Sequence, residues 1–255
     1  MTRLSINLNK IALIRNSRDT IHPEPVEFAR LVVAAGAHGI TVHPRPDQRH
    51  IRASDCIQLG ENRQTELNLE GNPFAGSRHS DRKGVEDYPG FLALVERVRP
   101  DQVTLVPDGD SQLTSDHGFD INRDGEALRP IIAQLKSWGC RVSLFMDPDP
   151  DQIALAGALG ADRIELYTES YAKAHARGVA DDELGRFQSA ATAATSSGLG
   201  VNAGHDLNLA NLPDFRVPNL LEVSIGHAFT IDALRYGIDT AVRRYLDALA
   251  VSQID

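Results

Sequence analysis

The chain has 255 residues, of which 42% are hydrophobic and 24% charged, as is ordinary for a soluble globular protein of one barrel-sized domain. The net charge of −9 and the lack of a basic run argue against nucleic acid as the main partner. No apolar stretch approaches the roughly 18 residues that a membrane span needs, and the N-terminus lacks the features of a secretion signal. We therefore expect a cytoplasmic protein whose two cysteines are free thiols.

Short apolar runs recur along the chain, and each is typical of a buried strand. The predicted strands are Leu4–Leu8, Gly39–Val42, Leu67–Leu69, Val103–Val106, Val142–Met146, Ile164–Tyr167, Leu199–Val201 and Leu221–Ile225. Helical patterns lie between most of them. The predicted helices are Pro25–Ala35, Tyr88–Val98, Glu126–Trp138, Asp151–Leu159, Asp182–Ser197 and Ile231–Val251. This alternation predicts an α/β protein, a (β/α)₈ barrel formed by one domain over residues 1–255.

The connections differ in length at the two ends of the predicted strands. The connections from a helix to the next strand are short and contain glycine. The connections that follow a strand are longer, notably Gly71–Asp87, Pro107–Gly125 and Thr168–Asp181. Long loops after the strands predict a functional site at the C-terminal face of the barrel. Gly71–Asp87 is rich in glycine and charge and lacks helical periodicity, so we expect an inserted loop there.

Residues able to transfer protons stand where several strands end. His43 follows the run GITV, with Arg45 two residues on, and Glu70 ends the run ELNLE. Histidine can exchange protons near neutral pH, and a carboxylate in a dry site is a candidate general base. The alternatives are a histidine that caps its strand and a glutamate in a salt bridge at the barrel rim. Glu165, inside RIELY, points into the barrel in one interpretation and then needs a partner.

The ends of the last two strands suggest function in a similar way. His205 and Asp206 follow the small residues of VNAG, which suit close approach of the backbone to a ligand, although a plain turn is the alternative. Gly226 and His227 precede a helical segment after strand eight, a position where such barrels bind phosphate through backbone N–H groups.

Other patterns point to structure or exclude a chemistry. The acidic run DPDPD at 147–151 favours a rigid turn and helix start, with Asp149 or Asp151 near the cap, over a metal site, because of its prolines. The chain has no CxxC, no HExxH and no HxH after strand one, so no bound metal is expected. It also has no GxGxxG after the first strand, which argues against the usual dinucleotide site.

Seen together, these segments resemble the pyridoxine 5′-phosphate synthase family of vitamin B6 biosynthesis almost from end to end. The similar segments are NLNKIALIRNSR at 7–18, AGAHGITVHPRPDQRHI at 35–51, LNLE at 67–70, LVP at 105–107, VSLFMD at 142–147, IELYTESYA at 164–172, VNAGHDL at 201–207 and SIGHA at 224–228. The resemblance implies a (β/α)₈ barrel with extra helices, assembled as a homo-octamer that is a tetramer of dimers. It also implies condensation of 3-amino-2-oxopropyl phosphate with 1-deoxy-D-xylulose 5-phosphate, without an organic cofactor.

The resemblance also implies roles for individual residues. Its acid–base residues correspond to His43 and Glu70, and its proton-donating histidine corresponds to His205. The resemblance implies substrate contacts at Asn7, Arg18, Arg45, His50, Thr114, Gly226 and His227, and the sequence adds Asn9, Lys10 and Asp206 as candidates at the strand exits. The chain departs from the family's common pattern in reading NLNK for NIDH, TSDHG for TTEGG, and Asp206 for a glycine.

Two other functions are compatible with a barrel that binds phosphate. One is an aldolase or isomerase acting on a phosphosugar, which usually needs a lysine inside a strand or a metal; no predicted strand has an interior lysine, and Lys10 lies at a strand exit. The other is a barrel that binds a phosphorylated ligand without catalysis, whose signature is loss of the acid–base groups. Turnover of the two substrates separates all three functions.

Overall fold

A computed structural model describes residues 1–18, 20–109 and 111–252. Eight parallel strands close into a barrel in sequence order, as predicted. The strands are β1 Arg3–Asn7, β2 Gly39–Val42, β3 Glu66–Gly71, β4 Gln102–Leu105, β5 Arg141–Met146, β6 Arg163–Tyr167, β7 Gly200–Gly204 and β8 Leu220–Ile225. Their carboxyl ends therefore meet at one face, where the sequence predicts the site.

Apolar and polar side chains alternate along these strands, and the alternation explains both the core and the barrel interior. Residues such as Leu4, Ile6 and Leu69 belong to the buried core that packs against the helices. The alternate positions are polar and hydrogen-bond across the barrel, as Gln102 of β4 does to Glu222 of β8, 3.4 Å apart. The interior is thus polar rather than filled with the branched apolar residues that are usual in such barrels.

Ten α-helices cover the barrel in the described residues. They are α1 Asn9–Asn16, α2 Pro25–Ala34, α3 Ala53–Glu61, α4 Phe91–Val98, α5 Ile121–Ser137, α6 Pro150–Gly157, α7 Glu169–Ala176, α8 Asp181–Ser196, α9 His227–Tyr236 and α10 Ile238–Ser252. The sequence did not predict α1, α3 or α7. None of these helices is long and apolar enough to cross a membrane.

Three of the predicted helices have different bounds for identifiable reasons. The single helix expected over Ile231–Val251 is wrong, because Gly237 at φ +78° separates α9 from α10. Helix α5 begins five residues early because Asp120 caps it, accepting a hydrogen bond from Asn122 N at 3.1 Å. The start of α4 is late because Tyr88 forms a bridge with Arg78 instead. By contrast, α6 begins at the DPDPD turn as expected, and Asp149, one of the two predicted cap residues, is its N-cap.

The Gly71–Asp87 segment contains no helix, and only its first residue belongs to a strand. It is tied back onto the barrel, because Arg82 donates hydrogen bonds to the carbonyls of Asn16 and Gln48, and Gln48 donates to Glu86 O at 2.7 Å. That the segment is an insertion, which can be deleted while the barrel still folds, stays a prediction.

Candidate active site

An open cavity of about 990 Å³ occupies the C-terminal mouth of the barrel. It brings together twelve of the thirteen residues that the sequence predicts for the site. They are Asn7, Asn9, Lys10, His43, Arg45, His50, Glu70, Thr114, His205, Asp206, Gly226 and His227. Arg18, the thirteenth, is exposed beyond the end of α1 and is not among the residues that line this cavity. Placement in one cavity makes joint action possible, while the role of each residue stays a prediction.

His43 lies between two carboxylates at the cavity floor. Its Nε2 is 2.9 Å from Asp108 Oδ2, and its Nδ1 is 3.7 Å from Glu70 Oε2. Burial alone would raise the pKa of Asp108, but the hydrogen bond and charge of His43, with the charge of Arg45, lower it to about 2. An ionised Asp108 favours the His43 tautomer that carries its proton on Nε2, so that the Nδ1 lone pair faces Glu70.

Two asparagines of the β1–α1 turn fix this arrangement. Asn9 Oδ1 accepts a hydrogen bond from the backbone N–H of His43 at 2.9 Å, which holds the end of β2 against the start of α1. Asn7 Oδ1 accepts from Asn9 N at 2.9 Å, and Asn7 Nδ2 faces Glu70 Oε2 at 3.4 Å. Both residues are predicted to contact substrate, and these hydrogen bonds also position His43 and Glu70.

Buried carboxyl groups give the cavity floor its unusual electrostatics. Burial raises the pKa of Glu70 well above its usual range, and the nearby charges of Glu165 and Asp108 add to the effect. Burial likewise raises the pKa of Glu165 to about 8, with a contribution from Glu222. A carboxyl group with a raised pKa can act as a proton donor as well as a proton acceptor. Gly204 makes room for the Glu165 carboxyl, since a Cβ there would collide with Oε1.

Two predicted phosphate-binding residues have defined states. Burial lowers the pKa of His50 to about 3, aided by the charges of His43 and Arg45, so its ring is neutral at physiological pH. Its Nδ1 accepts a hydrogen bond from Ile51 N at 2.9 Å, which leaves Nε2–H as a donor. Arg45 already binds Asp108 Oδ2 at 2.8 Å and the carbonyl of Gln112 at 2.9 Å. It therefore connects the loop after β2 to the loop after β4.

The opposite wall of the cavity is formed by His205. Its Nε2 is 2.9 Å from Thr114 Oγ1, on the loop after β4, and its Nδ1 is 3.0 Å from Asp206 Oδ2. The ring packs edge-on against Tyr167, with centroids 5.0 Å apart, and near Phe145. These contacts link β4, β6 and β7 at the mouth.

The N-terminus of α9 opens onto the same cavity. Gly226 is its N-cap residue. Because glycine has no side chain, the N-cap position offers no side-chain hydrogen bond to the first N–H groups of the helix. A Cβ at Gly226 would lie only 3.1 Å from that of Asn7, which shows how closely β8 and β1 approach there. The helix dipole favours an anion at this point. Lys10, in the first turn of α1, adds a positive charge to the cavity.

Asp108 is among the polar residues at the strand exits but is not among the predicted site residues. It comes two residues after the apolar run of β4, so its position at a strand exit was visible, but its contact with His43 from another βα loop was not. Glu165 is an inward candidate in the sequence but is not among the predicted site residues. Its neighbour across the barrel is Thr104, whose Oγ1 donates to Oε2 at 3.5 Å.

A metal site is not evident in the part of the chain that the structure describes, where no group of three or more histidine, cysteine, aspartate or glutamate residues is placed to hold an ion.

Comparison with known proteins places the chain in a family. The family model described as pyridoxal phosphate biosynthesis protein PdxJ matches residues 4–251. The chain belongs to the PdxJ family. It is 56% identical to the pyridoxine 5′-phosphate synthase of Xanthomonas axonopodis pv. citri, over 97% of this chain and 96% of that protein. It is 54% identical to the synthase of Xylella fastidiosa, over 97% of this chain and 95% of that protein.

Solved structures of low sequence identity share the fold of this PdxJ family member. A 3-keto-L-gulonate-6-phosphate decarboxylase from Vibrio cholerae superposes with a TM-score of 0.64 at 10% identity, covering 98% of this chain and 97% of that one. Tryptophan synthase from Mycobacterium tuberculosis superposes with a TM-score of 0.60 at 10% identity, covering 98% and 92%. At such identities the likeness shows the barrel fold alone.

Proposed function

We propose that this chain is a pyridoxine 5′-phosphate synthase that condenses 3-amino-2-oxopropyl phosphate with 1-deoxy-D-xylulose 5-phosphate. The products are pyridoxine 5′-phosphate, inorganic phosphate and water. The observation that carries the proposal is the histidine held between two carboxylates, Glu70 and Asp108, at the mouth of a barrel that belongs to the PdxJ family. The reaction needs repeated proton transfer. A histidine between two carboxylates is well placed to carry it out.

The acid–base chemistry follows from the geometry of His43 and Glu70. Schiff-base formation between the substrate amine and a ketone releases water, and ring closure requires removal of protons next to a carbonyl or imine. Asp108 holds the proton of His43 on Nε2, so Nδ1 is the nitrogen that exchanges protons on the Glu70 side. Glu70, with its raised pKa, can hold a proton in one step and release it in the next. We assign the further proton donation to His205 on the facing wall.

Two phosphate groups require two anion sites. We assign the phosphate of the amine substrate to the start of α9 at Gly226 and His227, where the helix dipole and backbone N–H groups favour an anion. We assign the second to the side of the cavity with Lys10, His50 and Thr114, where a neutral His50 donates a hydrogen bond and Lys10 supplies charge. Crystals soaked in millimolar phosphate should show the first site filled. If water alone occupies it, the assignment is wrong.

The loop after β4 is suited to cover the bound substrates. Arg45 and Arg49 each donate to the carbonyl of Gln112 at 2.9 Å, and Thr114 reaches across to His205. A loop held from both sides of the mouth can exclude bulk water from reactive intermediates. Arg18 lies outside the cavity of a single chain, so any contact of Arg18 with substrate requires a rearrangement or another subunit.

We further propose that the enzyme is cytoplasmic and acts as a homo-octamer, a tetramer of dimers, as the resemblance to the family implies. Light scattering on the purified protein measures this assembly directly. A monomeric mass at working concentration contradicts it, whereas an octameric mass agrees with it.

The test of the proposed function is turnover by the purified chain. With both substrates present, we expect pyridoxine 5′-phosphate and inorganic phosphate to appear in equal amounts, and neither with one substrate alone. Cleavage or isomerisation of the sugar phosphate alone would instead identify an aldolase or isomerase. Tight binding of phosphorylated ligands without any turnover would identify a non-catalytic barrel.

A further inference from the structure

Asp206 contacts the ring of its neighbour His205 rather than pointing only at the cavity. Asp206 Oδ2 lies 3.0 Å from Nδ1, while Thr114 Oγ1 lies 2.9 Å from Nε2 on the other side of the ring. A carboxylate accepts hydrogen bonds and cannot donate them, so this contact requires the proton of a neutral His205 to be on Nδ1. The Nε2 lone pair then faces Thr114 and the cavity.

The backbone adopts an unfavourable conformation to make this contact. His205 has φ +85° and Asp206 has φ +57°, both in the left-handed region that is costly for residues other than glycine. The surroundings hold them there. Thr168 Oγ1 donates to the carbonyls of Gly204 and His205, and Asn211 Nδ2 donates to Asp206 O at 3.1 Å. Two consecutive strained residues, fixed by buried partners, indicate that the orientation of the pair matters.

The charged groups around the pair come from several elements. Lys173 of α7 and His227 of α9 act on Asp206, while Glu169 of α7 and Asp116 of the loop after β4 act on the neighbouring Tyr167 hydroxyl. The hydrogen bond from His205 lowers the pKa of Asp206, and its charge together with those of Lys173 and His227 outweighs the opposing effect of burial. Asp206 is therefore ionised over the working pH range.

We propose that Asp206 is a positioning residue that fixes the tautomer and orientation of His205, so that Nε2 is the nitrogen that exchanges protons with substrate. The inference rests on the proposed function for its effect on turnover, but the tautomer itself does not depend on activity. It gives Asp206 a role different from the substrate contact expected from its position at a strand exit. The arrangement follows the same logic as other acid–histidine pairs, in which the carboxylate stabilises the protonated ring.

The first experiment reads the tautomer without reference to turnover. Solid-state NMR of the ¹⁵N-histidine-labelled full-length protein, with the His205 signals assigned by their loss in His205→Gln, should show a neutral ring protonated on Nδ1. In Asp206→Gly, which suits the left-handed backbone, the proton should move to Nε2, the form that free imidazole side chains favour. A parent ring protonated on Nε2, or an unchanged ring in Asp206→Gly, overturns the inference.

The second experiment measures kinetics against pH. Asp206→Asn keeps the shape and tolerates the left-handed backbone but removes the charge. We expect kcat to fall about tenfold or more with KM little changed, and the alkaline limb of the kcat profile to move to lower pH. Asp214→Asn is the matched control, because Asp214 pairs with His175 at 3.0 Å away from the cavity. Asp214→Asn should leave kcat and its pH profile unchanged.

The outcomes separate this inference from the proposed function. If the parent does not convert the two substrates, the proposed function fails and the NMR measurement still tests the pairing. If the parent is active and Asp206→Asn has the parent's kcat and pH profile, the positioning role is wrong. A rise in KM alone, with kcat and pH profile unchanged, returns Asp206 to the role of a substrate contact.

Discussion

The two ends of the barrel interior contain the same chemical group in opposite settings. At the N-terminal end, Glu66 contacts both Arg3 and Arg141. Glu222, deeper in the barrel, has a pKa raised by burial, but the charges of Arg163, Arg141 and Arg3 all oppose that rise. Cations therefore face the carboxyl groups at this end and oppose the effect of burial.

At the C-terminal end, the inward carboxyl groups have neighbours of another kind. Glu70 faces Asn7 and His43, and Glu165 accepts a hydrogen bond from Thr104. Burial, with the repulsion of other carboxylates, raises the pKa of both. The neighbours of a carboxyl group, rather than its residue type, therefore decide whether its surroundings oppose or add to the effect of burial on its pKa.

The largest effect expected from this comparison is the loss of turnover in Glu70→Gln. The substitution keeps the size of the side chain but removes the carboxyl group that we propose exchanges protons with His43. We expect kcat to fall by roughly 10²–10⁴-fold, the range for loss of an acid–base group, with the barrel still folded. Steady-state kinetics and thermal unfolding of the same preparation measure both quantities.

Glu66→Gln is the matched control at the other end of the barrel. It should keep the parent's kcat and lower the free energy of unfolding by about 1–3 kcal/mol, because Arg3 and Arg141 lose their shared, partly buried partner. If the two variants lose turnover equally, the two ends do not differ in function and the comparison is wrong.

The next effect concerns stability against pH. The pKa of Glu165 is about 8 in the folded protein against an ordinary value of 4.5. The folded state therefore holds a proton that the unfolded state has released between these values. The stabilising contribution is complete below pH 4.5 and is lost as pH rises through about 8. Urea unfolding of the parent should show this decline.

Glu165→Gln should remove part of that decline. At pH 9 the variant should exceed the parent in free energy of unfolding by on the order of 2–4 kcal/mol, and at pH 5 by much less. Glu183→Gln, which changes a surface carboxylate paired with Arg186, serves as the control. It should shift the free energy of unfolding equally at pH 9 and at pH 5. A parent and variant with parallel pH dependence would show that the Glu165 carboxyl does not titrate in this window.

A smaller effect is expected for Asp108→Asn, because Asp108 acts through His43. The amide can turn its NH₂ toward Nε2 and so favour the wrong tautomer of the ring, and Arg45 loses its carboxylate partner. We expect kcat to fall about 10–100-fold and KM to change less. Asp108→Glu should recover part of the activity. Equal loss in both variants would point to disruption of the loop after β4 instead.

The sequence predicts the fold closely because the residues of each strand that face the helices are apolar. They make each strand recognisable as a short apolar run. All eight strands lie within a few residues of their predicted bounds. Helices α1, α3 and α7 were missed because they are short and mix apolar with polar residues, so packing rather than local preference determines them. The break at Gly237 was visible as a glycine within an apolar stripe, but a glycine in a helix is often tolerated.

The site was predictable in position but not in pairing. Strand ends identify which residues reach the mouth, and twelve predicted residues line the cavity. Contacts such as Thr114 with His205, 91 residues apart, depend on how separate loops meet in space. The same limit hid Asp108 as the partner of His43. Asp206 differs, because the residue that it contacts is its neighbour in the sequence. The contact nevertheless depends on a left-handed backbone conformation that the sequence does not predict.

The smallest effect concerns Lys10, which brings a cation to the end of the barrel where carboxyl groups dominate. It lines the cavity in the first turn of α1, and its charge contributes to the lowered pKa of His50. If Lys10 contacts a substrate oxygen, Lys10→Met should raise KM or lower kcat about tenfold, which corresponds to about 1.4 kcal/mol, whereas Lys10→Arg should keep most of the activity. Lys136→Met, which removes a lysine paired with Asp162 elsewhere on the surface, should leave the kinetics unchanged. Parent-like kinetics in Lys10→Met would instead mean that the side chain is a solvated residue at the rim, and that backbone N–H groups and His50 bind the phosphates without it.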